Sequence, residues 1–315
     1  MDMNISRDSE LLIVAPSGYE TVIYIENFAG NYLPAKTVRY QGGGHGGNVA
    51  YYLSNLGVTC SLYTHWGDDL PGIRARQTML EAGVDISLCK VFPGETSQSN
   101  YLVNIGKMKK TIMNFGSALA IQGTDPDIKT IPKVLYTSLL PVEPALTLVK
   151  KVRQMEGEVV LGFQIPTLSA NSLGLTHEIL EETLPLVNHA IGSHGVVAEE
   201  FKSDLKAPEL VLWLKNRYPN LKTVVLTDGQ NGSYAYVDGE IIHQPAFGVN
   251  EVDSTGAGDQ FSAVFLRDYI LRGIPLTTTM KRAALYSAVV CGKEGSRVLV
   301  TDEELDFLRG EELVE

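Results

Sequence analysis

The sequence predicts an α/β fold: a doubly wound, mainly parallel sheet with helices on both faces, plus a small β-sheet lid. Three observations carry this. Short, continuous apolar runs recur along the chain. Amphipathic helical patterns separate them. Two pairs of alternating segments interrupt that rhythm with no helix between their members. A strand buried on both faces reads as an unbroken apolar run, and parallel neighbours need a helix to return the chain.

The apolar runs at 11–15, 60–64, 134–138, 159–163 and 223–227 are the expected strands. Val49, Tyr52, Leu53 and Leu56 fall at helical spacing, as do Ala145, Leu148, Val149 and Val152. Leu210, Val211 and Leu214 repeat it before Tyr218-Pro219 ends that helix. Strand patterns over 21–27 and 35–41 flank the turn Ala29-Gly30-Asn31, and patterns over 97–105 and 109–115 flank Gly106-Lys107. These insertions predict a small antiparallel sheet apart from the main one, set over the strand ends. The expected division is a core of 1–18, 42–95 and 116–315 and a discontinuous lid of 19–41 and 96–115. Val22, Tyr24, Val103 and Met113 alternate with polar neighbours, which gives the lid an apolar face in need of cover.

Composition narrows the function. The 315 residues carry 26 Lys and Arg against 37 Asp and Glu, a net charge of −11. That balance argues against nucleic acid or an anionic membrane surface as partner. It leaves phosphate ligands open, because backbone amides bind them without net charge. The three cysteines, Cys60, Cys89 and Cys291, are widely spaced with no metal-ligand pairing, which suits a reducing cytoplasm. The run at 11–15 ends at Pro16 and is too short for a signal core or a membrane span.

Two glycine-rich segments carry the chemistry. The first, Gln41-Gly42-Gly43-Gly44-His45-Gly46-Gly47-Asn48, runs straight into a helix. Its missing side chains let a ligand approach the backbone. Asn48 either caps that helix or binds a hydroxylated ligand. The second, Asp253-Ser254-Thr255-Gly256-Ala257-Gly258-Asp259, also opens a helical run. Unpaired N–H groups at a helix start, with the positive dipole end behind them, make an anion site. Asp259 in the first turn either steadies the dipole or accepts a hydroxyl proton while those amides hold a phosphoryl group. Upstream, a strand ending in Thr227 leads into a turn with Gly229 and Gly232, a suitable place for nucleotide phosphates or an ordinary β-turn.

Together these residues resemble the ribokinase-like carbohydrate kinases, the pfkB family, over nearly the whole chain. The amino-terminal signature looks like Gly43-Gly44-His45-Gly46-Gly47-Asn48-Val49-Ala50, with Gly57 and Gly67 following. Trp66-Gly67-Asp68-Asp69 with Gly72, and Leu80-Glu81-Ala82-Gly83-Val84, match the intervening pattern, and 253–259 matches the carboxy-terminal signature. The resemblance implies ATP- and Mg²⁺-dependent phosphorylation of an alcohol. Asp259 would be the base and Gly256, Ala257 and Gly258 the anion hole. Glu20, Gly43, Gly44, His45 and Asn48 would meet the substrate. Thr227, Gly229, Gly232, Asp253, Ser254 and Thr255 would line the nucleotide site, with a monovalent cation such as K⁺ near Asp253. The substrate would be a small sugar or polyol, or alternatively a nucleoside. A homodimer through the lid is a further implication.

Four positions depart from the family pattern. Glu20 stands where an Asp usually grips two sugar hydroxyls. The Asn-x-x-Glu motif associated with Mg²⁺ is replaced by Ser193-His194-Gly195-Val196, so no metal ligand is assigned, with Glu199 or Glu200 as candidate substitutes. Phe163-Gln164 stands where an Asp is usual, and Val264 replaces a small residue. A catalytically inactive sugar- or nucleotide-binding protein is therefore the rival reading, against which Asp259 argues: a pure binder needs no base beside an anion hole.

Overall fold

A computed structural model describes residues 9–26, 34–96, 98–104, 109–116, 118–121 and 133–311. The first half of the chain forms β1 (Leu11–Val14), β2 (Gly18–Ile25), β3 (Thr37–Gly43), α1 (His45–Asn55), β4 (Cys60–Tyr63), β5 (His65–Gly67), α2 (Leu70–Glu81), β6 (Lys90–Phe92), β7 (Gln98–Asn104) and β8 (Lys109–Phe115). The next stretch forms β9 (Val134–Thr137), α3 (Val142–Gln154), β10 (Glu158–Phe163), α4 (Thr167–Ala170), α5 (His177–Thr183), β11 (His189–Ser193), α6 (His194–Glu200) and α7 (Ala207–Arg217). The remainder adds β12 (Thr223–Thr227), β13 (Ser233–Val237), β14 (Glu240–Gln244), α8 (Ala257–Phe265) and α9 (Leu276–Cys291).

Every expected core run lies in one eight-stranded sheet of order β14-β13-β12-β11-β10-β9-β1-β4. Neighbours from β12 to β4 are parallel, and the β12-β13-β14 edge is antiparallel. β1 shows why its sequence is unbroken in apolarity. Leu11 and Ile13 join the core of α1, α8 and α9, while Leu12 and Val14 join the core of α3 and α7 on the opposite face. All four side chains are fully buried, and each such burial stabilises the fold by about 1.5–3 kcal/mol. From β1 the strand order runs one way to β4 and the other way to β9. That reversal opens a crevice at the carboxyl ends of the strands.

The second sheet has order β3-β2-β7-β8. Its two hairpins are antiparallel, but they join through a parallel β2–β7 pair, so the sheet is mixed rather than antiparallel as expected. The leading strands of the two insertions run in the same direction, and that makes their shared edge parallel. On the face expected to need cover, Val22 and Tyr24 are completely buried within this chain, so these two need no partner to cover them. The register sets Met113 opposite Asn100, and Asn100 opposite Thr21, out of the row of Val22. Val103 pairs with Tyr24 as the alternation predicts. Among the residues of this sheet whose side chains are described, Val38 and Tyr40 on β3 are the exposed large apolar ones, at 43% and 64%. The turns Ala29-Gly30-Asn31 and Gly106-Lys107 lie outside the described residues, as do Ser97 and Ile105.

The Trp66–Asp69 turn fastens the second sheet to the first. Trp66 Nε1 donates to the Ser17 carbonyl at 2.8 Å, and Asp69 caps α2 by accepting from Gly72 N at 2.9 Å. The other Asp69 oxygen accepts from Thr96 N at 3.1 Å, just before β7.

Candidate active site

The two glycine-rich segments meet because α1 packs against α8. They open on a cavity of about 550 Å³ at the ends of β1, β9, β10 and β11. Pro16, Glu20, Gly44, His45, Asn48, Ser138, Gln164, Ser193, Ser254, Thr255, Gly256, Gly258 and Asp259 are among its lining residues.

On one wall the chain leaves β3 and starts α1 at Gly44, whose φ of 76° favours glycine. The Gly44 N–H donates to Glu20 Oε1 at 3.0 Å. Glu20 Oε2 accepts from Ser296 Oγ at 3.1 Å and Gln41 Nε2 at 3.4 Å. Burial pushes the Glu20 carboxyl above its ordinary range, while these bonds and the Arg297 cation pull the other way. Gly43 is needed here because a Cβ on it would fall on the Glu20 carboxyl. So Glu20 borders the cavity as expected, with both oxygens already hydrogen-bonded to the protein.

Asn48, one turn into α1, accepts from Arg297 Nε at 3.0 Å through Oδ1 and donates to Asp259 Oδ2 at 2.8 Å through Nδ2. Arg297 also donates to Thr78 Oγ1 at 2.9 Å and to the Gly43 carbonyl at 3.0 Å. Burial lowers its pKa to about 10, which leaves it charged at neutral pH. Sequence reasoning missed this residue, because it follows Gly295-Ser296 outside any motif.

On the facing wall Gly256 caps α8 with φ 84°, where a Cβ would strike the Ser296 carbonyl. Gly258 has open space around it, so the first turn of the helix faces the cavity bare. The Ala257 N–H turns back to the Ser254 carbonyl at 3.3 Å. Asp259 in that first turn is 8% exposed. Its Oδ1 lies 2.5 Å from His45 Nδ1, and His45 Nε2 lies 2.6 Å from the Tyr136 hydroxyl. His45, expected to meet the substrate, lines the cavity, begins α1 and is bonded to the candidate base.

The expected nucleotide residues divide. Ser254 and Thr255 line the cavity, whereas Thr227, Gly229 and Gly232 do not. Thr227 Oγ1 donates to the Gly192 carbonyl at 3.4 Å, next to β11. Asp253 is a brace. Its Oδ1 accepts from Thr255 N at 2.9 Å and Thr255 Oγ1 at 2.6 Å, and its Oδ2 accepts from Tyr24 Oη at 2.7 Å and Gly295 N at 3.2 Å. This ties the loop before α8 to β2 in the second sheet. Burial and the Asp253 contact together push the Tyr24 hydroxyl far up, so it stays a donor.

His194, within the stretch that replaces the Asn-x-x-Glu pattern, bridges Asp228 Oδ1 at 3.1 Å and the Leu205 carbonyl at 2.8 Å. Glu199 and Glu200 face elsewhere, into a separate cavity of about 630 Å³ lined also by His177, Phe201 and Trp213. Glu200 is held there by Thr167 N at 2.6 Å, Thr167 Oγ1 at 2.8 Å and His177 Nδ1 at 2.6 Å. Among the described residues no three His, Cys, Asp or Glu side chains gather as a metal site. Nor is any described helix long and apolar enough to cross a membrane.

The chain is similar to known proteins along most of its length. A nucleoside kinase of Methanothermobacter thermautotrophicus is 25% identical over 301 residues, covering 94% of each chain. A protein of Agrobacterium tumefaciens proposed to be a ribokinase superposes with a TM-score of 0.83 at 21% identity, over 97% of this chain and 98% of that one. A protein of Escherichia coli proposed to be a ribokinase II, in complex with ATP and Mg²⁺, superposes with a TM-score of 0.78 at 18% identity, over 96% and 99%. The model of the pfkB family carbohydrate kinases matches residues 15–303. Both signatures, the mixed second sheet and the crevice between them fall within that span, and the chain belongs to the pfkB family of carbohydrate kinases.

Proposed function

We propose that this protein transfers the γ-phosphoryl group of ATP to a hydroxyl of a small sugar or polyol. One observation carries the reading: a carboxylate, Asp259, stands in the first turn of a helix whose bare amino-terminal backbone faces the same cavity as Glu20 and Asn48. A base, an anion hole and hydroxyl-binding groups thus share one space. The substrate O–H gives its proton to Asp259 as the oxygen bonds to the γ-phosphorus. The bond from phosphorus to the β–γ bridging oxygen breaks, and that oxygen leaves with ADP. In the anion hole expected of Gly256, Ala257 and Gly258, the Gly256 and Gly258 N–H groups hold the equatorial oxygens of the phosphoryl group in flight, and Ala257 N–H joins them only by leaving the Ser254 carbonyl. Glu20, Gly43, Gly44 and Asn48 orient the accepting hydroxyl.

Mg²⁺ would neutralise the β- and γ-phosphates when bound with the nucleotide. The chain offers it little: Asp253 is spent on the brace, and Asp228 is engaged by His194 and by Asn231 Nδ2 at 3.0 Å. Phosphate oxygens and water would therefore supply most of its ligands. A K⁺ site beside Asp253 would likewise need oxygens other than that carboxylate's. We read 19–41 and 96–115 as the lid and the rest as the nucleotide-binding core. The free cysteines Cys60, Cys89 and Cys291 accord with work in the cytoplasm.

A nucleoside kinase is the second reading, favoured by the end-to-end likeness to the archaeal nucleoside kinase. A panel of sugars, polyols and nucleosides with Mg·ATP, read by ADP release, separates the two. Turnover of a sugar supports the proposal, and turnover confined to nucleosides replaces it. A chain that binds a sugar and ATP yet releases no ADP with any compound would be the inactive binder.

A further inference from the structure

The geometry points to His45 as a positioning residue for Asp259: anchored by Tyr136, its imidazole fixes which lone pair of the carboxylate faces the substrate hydroxyl. This rests on the reading of Asp259 as the base.

Hydrogen-bond chemistry decides the tautomer. Asp259 Oδ1 at 2.5 Å from His45 Nδ1 is an acceptor while ionised, so Nδ1 must carry the proton. In the neutral ring Nε2 is then an acceptor, and the Tyr136 hydroxyl at 2.6 Å donates to it. Tyr136 suits that task, because burial first and the nearby Asp259 charge second hold its phenol far above the ordinary range. The alternative neutral tautomer would set a lone pair on Nδ1 against a carboxylate oxygen.

The surroundings are shaped for this pair. A Cβ on Gly162 of β10 would strike the Tyr136 hydroxyl and crowd His45 Nε2, so the neighbouring strand leaves a gap where the two side chains meet. His45 and Asn48 stand one turn apart on α1 and hold the two Asp259 oxygens, one each. Each donor is itself held, Asn48 by Arg297 and His45 by Tyr136. A carboxylate gripped on both oxygens keeps one orientation, with the remaining lone pairs left for the hydroxyl. Misplacing a reacting group by about 1 Å can cost about 10²-fold in rate.

The test uses the full chain, Mg·ATP and the best alcohol of the panel. His45→Ala should lower kcat about 10- to 100-fold while KM for both substrates stays within about threefold. His45→Asn should recover most of that, because its amide can reach the place of Nδ1. Tyr136→Phe should lose several-fold in kcat, and His45→Ala combined with Tyr136→Phe should be no worse than His45→Ala alone. Unchanged kcat in His45→Ala, a loss confined to KM, no recovery in His45→Asn, or penalties that multiply would each overturn the inference. A substrate-free readout guards against misfolding: ¹⁵N-histidine NMR, with His45 assigned by its loss in His45→Asn, should show the Nδ1–H tautomer. Observing Nε2–H overturns the inference. Asp259→Asn separates the two ideas: if it is inactive while the His45 variants are unimpaired, only the positioning role falls. If Asp259→Asn stays active, the base assignment falls and takes this role with it.

Discussion

Replacing Asp259 by Asn removes the base with little change of shape, and the structure shows how the neighbours can absorb it. The carbonyl oxygen of the introduced amide could still accept from Asn48 Nδ2, now 2.8 Å from Oδ2. Its NH₂ would then face His45 Nδ1, which can shift its proton to Nε2 and donate to Tyr136 instead. The helix start and its amides are untouched, so ATP should bind nearly as before. What is lost is proton acceptance in the transition state, worth about 10²- to 10⁴-fold in kcat, or about 3–5.5 kcal/mol of barrier. Single-turnover rapid quench isolates the chemical step, and calorimetric titration with ATP checks the ground state. A variant that keeps near wild-type kcat with chemistry rate-limiting would refute the assignment. One that loses ATP binding and rate together would show Asp259 holding the nucleotide site rather than acting as base.

Arg297→Met should cost about 3 kcal/mol, because Asn48 Oδ1, Thr78 Oγ1 and the Gly43 carbonyl all lose their donor. For a chain of 315 residues that is a fall in Tm of about 5 °C by calorimetry, and an unchanged Tm would contradict the bridging role. Glu20→Gln should narrow the discrimination, in kcat/KM, between the best sugar and its deoxy analogues, because a carboxylate accepts from two hydroxyls where an amide oxygen and NH₂ cannot. Equal discrimination by both enzymes would mean that other residues read those hydroxyls. If copies of this chain pair through the second sheet, the exposed Val38 and Tyr40 are the surface to use. Light scattering should then report a dimer at micromolar concentration that Tyr40→Asp converts to a monomer, and a monomeric wild type ends that expectation.

The core strands were legible because burial on both faces leaves no polar alternation to confuse them. Where that condition lapses, so does the signal. β11, at His189–Ser193, has one large apolar residue, Ile191, and includes Gly192, whose absent side chain makes room for Phe163. β13 and β14 form the antiparallel edge, half exposed, and their Ser-Tyr-Ala-Tyr-Val and Glu-Ile-Ile-His-Gln sequences hold no continuous apolar run. β2 begins at Gly18 rather than near 21, since Gly-Tyr-Glu alternates without apolarity, and this moves Glu20 from a loop into a strand. A paired strand fixes the Glu20 backbone more firmly than a loop would, and its carboxyl then sets the entry of α1.

Within the site, the glycine positions and Asp259 were legible because backbone conformation and helix starts are local properties. The network around Asp259 was not, because every member reaches it from a different strand or helix. Tyr136 looks like one more core residue of β9, and only the third dimension shows its hydroxyl emerging at His45. Arg297 carries no local signal, yet it touches Gly43 and Asn48 of the first signature, while its neighbour Ser296 bonds Glu20. The same segment supports the second signature: the Ser296 carbonyl confines Gly256, and Gly295 N donates to Asp253. So residues 295–297 join the two motifs that the sequence displays separately. A substitution there disturbs the hydroxyl-binding wall and the helix start at once, with no change to either motif.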